Sequence, residues 1–221
     1  MQMETVSARE NAESLFAIAR RVLSGEPVAP PPPVNPIDLK SGIDRALRQT
    51  NRNTAAGDNL VFLAARAISV VEGTLVATDA IDACLSEAQD LVSHALAAVD
   101  PGARALFAER FIELVNRVDT IASGATFEGL NLINLGKDKI ELVSPVGGQP
   151  RHAVGHIVLT ASERGLGLKL PKNAFRDDAE IEAKAACLTR ARARLIKAAD
   201  TFLNQASMMA PYLEPAAAAA A

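Results

Sequence analysis

Two histidines, His152 and His156, have the residue type and spacing nearest to those of a metal site. Ligands four residues apart share a metal ion when they lie on a helix. These two follow Pro150 in a run that predicts a strand, where this interval separates the side chains by about 13 Å. His94 follows Asp90 by four residues in a helical pattern, which favours a surface pair over a catalytic dyad. A metal-binding helical domain is therefore the weakest of three functional hypotheses.

The sequence also lacks the usual motifs for a nucleotide or a catalytic nucleophile. Gly165-Leu166-Gly167 has neither the third glycine nor the helix start that would hold a phosphate. No serine lies in the strand-turn-helix context of a nucleophile elbow. We therefore predict a protein that is not an enzyme, with no catalytic residues, no metal ligands, no cofactor and no small-molecule substrate.

The composition predicts a bundle of closely packed helices. Apolar residues make up 49% of the 221 residues, aromatic residues only 4%, and tryptophan is absent. Thin side chains of this kind suit helix packing better than a cleft lined with rings. Cys84 and Cys187 are too few and too far apart for a disulfide framework or a zinc motif. Buried thiols are predicted, with a single bridge between neighbouring helices as the alternative.

Charge and hydropathy predict that neither nucleic acid nor a membrane is a partner. The formal net charge is −3, and no basic block is dense enough to follow phosphates. The densest basic series is interpreted as the solvated flank of a helix: Arg190, Arg192, Arg194 and Lys197. No apolar run is predicted to approach the roughly 20 residues of a membrane span, and no Sec-type signal is recognised. These patterns predict a cytoplasmic protein unless another export route exists.

The sequence predicts four consecutive structural segments: a short helix, a linker, a helical rod and a tail. Residues 1–25 indicate a short helix, and residues 26–36, with six prolines, indicate an extended polyproline linker. A proline-rich ligand for an aromatic groove is the alternative reading of the linker. Residues 37–210 predict a helical rod, and residues 211–221, ending in six alanines, predict a disordered tail.

One long apolar repeat dominates the predicted rod. Polar residues interrupt the apolar pattern at residues 49–58. After them, apolar residues recur at intervals of three and four positions over about 40 residues, which corresponds to roughly 60 Å of helix. Gly73 lies inside this repeat at a cost of up to about 1 kcal/mol, which predicts a close approach or a kink. The predicted seam comprises Ala64, Ile68, Val71, Leu75, Thr78, Ile81, Leu85, Ala88, Val92, Ala95 and Val99.

Two further helices are expected to pack on the first. Asp100-Pro101-Gly102 predicts a reversal into an antiparallel second helix over residues 103–123. A third helix begins near Asp177 and must close back on the other two, since it has a seam of Ile181, Ala185, Leu188, Ala191, Leu195, Ala198, Phe202 and Ala206. A β-hairpin is predicted between them at about residues 138–170, at one end of the bundle, with its second strand over residues 153–160.

The bend after the second helix, residues 121–133, reads IASGATFEGLNLI and resembles the motif that ends the paired helices of bacterial flagellins. Upstream, Glu72, Gly73 and Leu75 resemble the Glu-Gly-Ala-Leu signature of the family's long N-terminal rod helix. Downstream, IVLTASERGLGL resembles the passage from hairpin to C-terminal rod helix in alphaproteobacterial flagellins. Glu128 stands where the family usually has asparagine. The matching bend and glycine residues are Ile121, Ala122, Phe127, Gly129, Asn131, Leu132, Gly165 and Gly167.

The resemblance, whose order and spacing extend over residues 59–206, implies a mainly α fold. That fold is an elongated antiparallel three-helix rod with a small β-hairpin at one end. It implies a self-assembling structural subunit of the flagellar filament or hook junction, exported without a cleaved signal by the flagellar type III apparatus. The implied partners are the chain itself, other flagellins and a flagellar export chaperone. The ten residues Glu72, Gly73, Leu75, Ile121, Phe127, Gly129, Asn131, Leu132, Gly165 and Gly167 form the implied structural and assembly motif.

A second hypothesis arises from the chain ends. Where flagellins carry terminal polymerisation helices, this sequence has a short helix with a polyproline spacer and an alanine tail. A cytoplasmic or envelope protein that does not polymerise, and that engages a flagellar chaperone or regulates flagellin synthesis, is therefore the alternative to a filament subunit.

Overall fold

The elements follow the apolar repeats closely. A computed structural model describes residues 40–143 and 150–213, and the side chains of residues 60–142 and 152–213. It contains helices α1 (Lys40–Ala97), α2 (Pro101–Gly124) and α3 (Asp178–Ser207), strands β1 (Ile140–Val143) and β2 (Pro150–Val154), and a 3₁₀ helix, Ala210–Tyr212. The predicted mainly helical class with a β-hairpin is confirmed. The predicted N-terminal helix, the proline-rich linker and the part of the tail beyond residue 213 lie outside the described residues.

Helix α1 continues through residues 49–58, where the sequence predicted an interruption of the helical pattern. Intrinsic propensity is a weak prior, and a single glycine is tolerated inside a helix. From Leu60 onward the predicted seam is buried, apart from half-buried Leu75 and Val99, which is 95% exposed because α1 ends before it. Further small residues of α1 are also buried, so the helix buries a face wider than one seam.

Part of α1 corrects the prediction that no apolar run approaches the length of a membrane span. Leu60–Ala97 is the one helix of the described residues that is long and apolar enough to cross a membrane, with an 18-residue window of mean hydropathy 1.8. The core helix of a soluble protein meets the same criterion, and 44% of this window is buried within the protein. One such helix is weak evidence and assigns no membrane location.

The chain divides into two compact units. The first comprises Met1–Ser69, Ile140–Val154 and Leu203–Ala221. In it, β1 and β2 pair antiparallel, with Ile140 opposite Val154 and Leu142 opposite His152. Ile140, Leu142 and Val154 are buried whereas Glu141 is exposed, so the hairpin hides one face.

The C-terminal segment of this first unit extends the ordered chain past the predicted boundary at Pro211. The Tyr212 ring lies edge-on to His152, with centroids 5.6 Å apart. Leu213 is 1% exposed. The two apolar side chains that sequence analysis placed in a disordered tail are thus packed, because a tyrosine and a leucine supply enough apolar area to dock.

The second unit comprises Val70–Lys139 and Gly155–Phe202. Asp100 caps the N-terminus of α2 by accepting a 2.9 Å hydrogen bond from the Ala103 N–H, and Pro101 suits the first turn. Within this unit each pair of helices is joined by an ion pair: Glu87–Arg110 for α1 and α2, Asp82–Arg192 for α1 and α3, and Arg104–Asp178 for α2 and α3. The third helix therefore contacts the first, as the sequence required.

The directions of α1 and α2 follow from two contacts. Glu87 lies against Arg110, and His94, further along α1, lies against Phe107, with ring centroids 6.1 Å apart. Residue numbers rise on one helix as they fall on the other. The two helices are antiparallel, as the short Asp100-Pro101-Gly102 connection predicted.

The seam of α3 differs from prediction at one position. Ala185 is exposed, and Lys184 is buried beside it with 8% of its surface accessible. The Lys184 Nζ donates a 2.9 Å hydrogen bond to the Leu170 carbonyl. A lysine can occupy such a position because its aliphatic stem packs while its ammonium group reaches a polar partner.

Candidate functional site

The bend after α2 is held by Asn131, which is 3% exposed. Its Nδ2 donates to the carbonyls of Ala122 at 2.8 Å and Ser123 at 3.2 Å, which satisfies two acceptors at the end of α2. Its Oδ1 accepts from the N–H groups of Ile133 and Asn134, both at 3.0 Å. One asparagine thus ends the helix and starts the following turn.

The preceding four residues form a tight hairpin turn. Phe127 and Leu130 exchange two backbone hydrogen bonds, of 2.8 and 2.9 Å. The two residues between them, Glu128 and Gly129, have positive φ angles of 51° and 76°. Two successive positive φ angles define a type I′ turn, which favours Asn-Gly at these positions. Glu128 is therefore a strained residue at the one bend position where this sequence departs from the flagellin pattern.

The close approach predicted at Gly73 is made by the ring of Phe127. A methyl group on Gly73 would lie 2.6 Å from Cε1 of that ring and closer still to Cγ and Cδ1. Only a residue without a side chain fits under the ring at this position. Two motifs that are far apart in the sequence therefore meet in one contact within the second unit.

The segment after the hairpin lies along the bend and not in the sheet. The N–H groups of Ile157 and Leu159 donate to the carbonyls of Leu132 and Ile133, both at 2.9 Å. The prediction of a second strand over residues 153–160 is therefore wrong beyond Val154. Alternating apolar residues predicted a strand, but their backbone partners are single residues of the bend instead of a continuous strand.

A side chain of α2 fixes the next part of this segment. The N–H of Ala161 donates a 2.7 Å hydrogen bond to Oδ1 of Asp119. No local sequence pattern indicates the role of Asp119, because its partner lies 42 positions away along the chain. Only the tertiary structure brings the two groups together.

Gly165 and Gly167 shape a compact turn. They do not lie at the start of a helix, where backbone N–H groups could surround a phosphate. A methyl group on Gly165 would lie 2.8 Å from the carbonyl carbon of Thr160 and 2.9 Å from its nitrogen. Gly167 has a φ angle of 70°, in the left-handed region that favours glycine. The Leu166 N–H donates to the Thr160 carbonyl at 2.7 Å, which closes the turn. The role of these glycines is structural.

A carboxylate at the start of α3 was missed by the sequence analysis. Glu180 accepts hydrogen bonds from the N–H groups of Lys172 at 2.5 Å, Asn173 at 3.2 Å and Phe175 at 3.1 Å. Burial raises the pKa of the Glu180 carboxyl, but these N–H donors outweigh it and leave the pKa below its ordinary value. The local signal was present, because Asp177 and Glu180 have the spacing of a capping box.

Burial shifts the pKa of two other titratable side chains in the second unit. Burial lowers the pKa of Lys184, against the opposing charge of Glu180. Burial also raises the pKa of the Cys84 thiol, so that little reactive thiolate forms there. Cys84 and Cys187 are both free thiols, and the Cys187 Sγ lies 3.1 Å from the Gly167 carbonyl that it donates to.

The remaining predicted residues differ in burial and in partners. Glu72, Leu75 and Ile121 are half-buried, and Leu132 is fully buried. Arg192, predicted on a solvated flank, points instead to Asp82, with two nitrogens 2.9 Å from its two oxygens. Within residues 60–142 and 152–213 no group of three His, Cys, Asp or Glu side chains is arranged to hold a metal ion.

The contacts described above join the end of α2, the turn after it and Gly73 of α1 at one bend. No protein-family model and no curated protein sequence matches the chain.

Proposed function

We propose that this chain is a flagellin-like structural subunit of the bacterial flagellum, in the filament or at the hook junction. In this proposal the three helices form the elongated antiparallel rod of that family, with the hairpin at one end. The single observation that carries the proposal is the seating of the Phe127 ring on Gly73. These residues belong to two separate motifs of the resemblance, and a chance likeness of two short motifs gives no reason for them to touch.

The hydrogen bonds of the bend add support of a different kind. Asn131, another residue of the resemblance, makes four side-chain hydrogen bonds that join the end of α2 to the turn after it. A subunit that repeats one contact many times needs one fixed shape, because each copy must present the same surfaces. A bend fixed by buried hydrogen bonds and a ring packed on glycine suits that requirement.

The proposal assigns no catalysis and no cofactor to the protein. Its partners are other flagellin-type subunits and, before export, a flagellar export chaperone. Its destination is the flagellum, reached by the flagellar type III route. A non-polymerising regulatory protein that binds the chaperone is the alternative outcome of the test.

The test is copolymerisation. Purified full-length chain is mixed with flagellin monomers and short filament seeds, and filaments are collected by centrifugation. We expect the chain to enter the pellet only when seeds are present. The Glu128→Asn variant, which places the family's usual residue in the turn, serves as a matched control and should enter equally well. A chain that stays in the supernatant while binding a flagellar chaperone would favour the regulatory alternative and contradict the filament proposal.

A further inference from the structure

Charges of opposite sign are segregated on two helices of the second unit. Between residues 70 and 97, α1 carries five acidic residues and no lysine or arginine. Between residues 184 and 197, α3 carries five basic residues and no acidic one. The protein as a whole has a net charge of only −3, so this separation is local and gives the two helices opposite potentials.

Three of the basic residues on α3 remain outward-facing. Arg192 turns inward to Asp82, and Lys184 is buried against the Leu170 carbonyl. Arg190, Arg194 and Lys197 are exposed, and their spacing of four and three residues places them in one row, here called the basic ridge. Arg194 donates to the Arg164 carbonyl at 2.6 Å and keeps its charge, and the basic side chain of Arg164 is also exposed.

The ridge is bordered by side chains that favour close contact. Ala186 and Ala193 are exposed on the same side of α3, and Ile196 is 57% exposed. On α3 itself, the exposed acidic residues that flank the ridge are Glu182 before it and Asp200 after it, and off the helix the exposed Glu163 lies next to Arg164 and 3.7 Å from Lys169. Along α3 the middle of the ridge therefore carries basic charge only, and it is flanked by the exposed apolar side chains named above.

Helix α1 presents a face with the complementary chemistry. Val76, Asp79, Ala83 and Asp90 are all exposed and follow a helical spacing, here called the acidic face. Val76 is 64% exposed and supplies an apolar side chain to this face. Glu87 lies on the same side and is bound to Arg110 of α2. This face has the same periodicity and the same mixture of small apolar and charged residues as the basic ridge, with the opposite sign.

We propose that the basic ridge of one copy docks on the acidic face of a second copy of this chain. A second copy is the favoured occupant because the chain itself carries both surfaces, and because the same two helices already pair through Asp82 and Arg192 inside one copy. The ridge and the face lie on different helices, so the contact is heterologous and repeats from copy to copy. This inference rests on the proposed function, in which the chain assembles with flagellin-type subunits, and identifies the surfaces that assemble.

The test uses charge reversal in the full-length chain. One variant carries R190E, R194E and K197E, and a second carries D79K and D90K. Sedimentation velocity at low salt should show the wild-type chain associating, and each variant alone should have a dissociation constant at least about tenfold weaker. An equimolar mixture of the two variants should recover association, because each then supplies the surface that the other has lost. Added salt should weaken the wild-type contact, since the charges are exposed.

Three results would overturn the inference. The first is a wild-type chain that stays monomeric at low salt. The second is unchanged association of both variants, and the third is failure of the mixture to associate when circular dichroism shows both variants folded. Binding of polyglutamate to a monomeric wild-type chain would identify an acidic polypeptide as the occupant and also contradict the second copy. Copolymerisation with flagellin seeds is measured on the same variants, so that a wrong surface is distinguished from a wrong function.

Discussion

The contact between Gly73 and the Phe127 ring predicts a reversal in the effect of one substitution. Gly73 lies within α1, where alanine is normally favoured over glycine by about 1 kcal/mol. In this protein the added methyl group would overlap the ring of Phe127. Gly73→Ala should therefore destabilise the protein when the phenylalanine is present and stabilise it when the phenylalanine has been removed.

The magnitudes follow from the two opposing effects. Phe127→Ala should cost about 3 kcal/mol, at the lower end for phenylalanine truncation because the ring is half-buried. Gly73→Ala displaces the same ring and loses about that amount, but gains about 1 kcal/mol of helix propensity, for a net cost of about 2 kcal/mol. In the double variant the packing contacts of the ring are lost only once and the gain in helix propensity is kept. Its free energy of unfolding should therefore also be about 2 kcal/mol below that of the wild type. The coupling free energy is then about 3 kcal/mol, at the upper end for contacting residues.

The assay is urea and thermal unfolding of the four proteins, both followed by far-ultraviolet circular dichroism. A cost of 2 kcal/mol corresponds to a Tm lower by about 4 to 8 °C for a chain of this size. Gly124→Ala is the matched control, because a methyl group there meets no atom within 4 Å. If Gly73→Ala stabilised the protein equally with and without Phe127, the ring would not be seated on the glycine, and the observation that carries the functional proposal would be lost.

Three other substitutions test neighbouring features. Glu128→Asn should raise the free energy of unfolding by about 1 kcal/mol, because asparagine tolerates the positive φ angle of 51° better; an unchanged urea midpoint would contradict the turn type. Gly165→Ala should lower Tm by more than any other glycine substitution here, since the obstructing atoms are backbone atoms of Thr160; a Tm equal to wild type would show that the turn relaxes freely. Glu180→Gln should cost about 1 kcal/mol near neutral pH. Because the folded pKa of Glu180 is lowered from 4.5, the wild-type advantage is present above that value and is lost as pH falls through the folded pKa; a difference that grows in acid would contradict it.

Local sequence patterns predicted most of the helical structure. The apolar repeats of α1 and α3 and the reversal at Asp100-Pro101-Gly102 predicted three helices with nearly correct limits. These features are local, because periodicity and capping depend on residues within one or two turns. The prediction failed where an alternating segment, residues 155–160, had the pattern of a strand but no strand partner. Pairing is not encoded in the alternation itself.

The sequence alone determined which residues are special in this protein: a glycine inside a long helix, a phenylalanine in a turn, and an asparagine after it. Their spacing also determined the class of fold, since amphipathic helices must hide their apolar stripes. Only the tertiary structure decided what these residues touch. The Phe127 ring meets Gly73, the Asp119 carboxylate meets the Ala161 N–H, and Arg192 turns from the predicted surface to Asp82. Contacts between residues far apart along the chain depend on how the helices pack together, and no local pattern in the sequence records that packing.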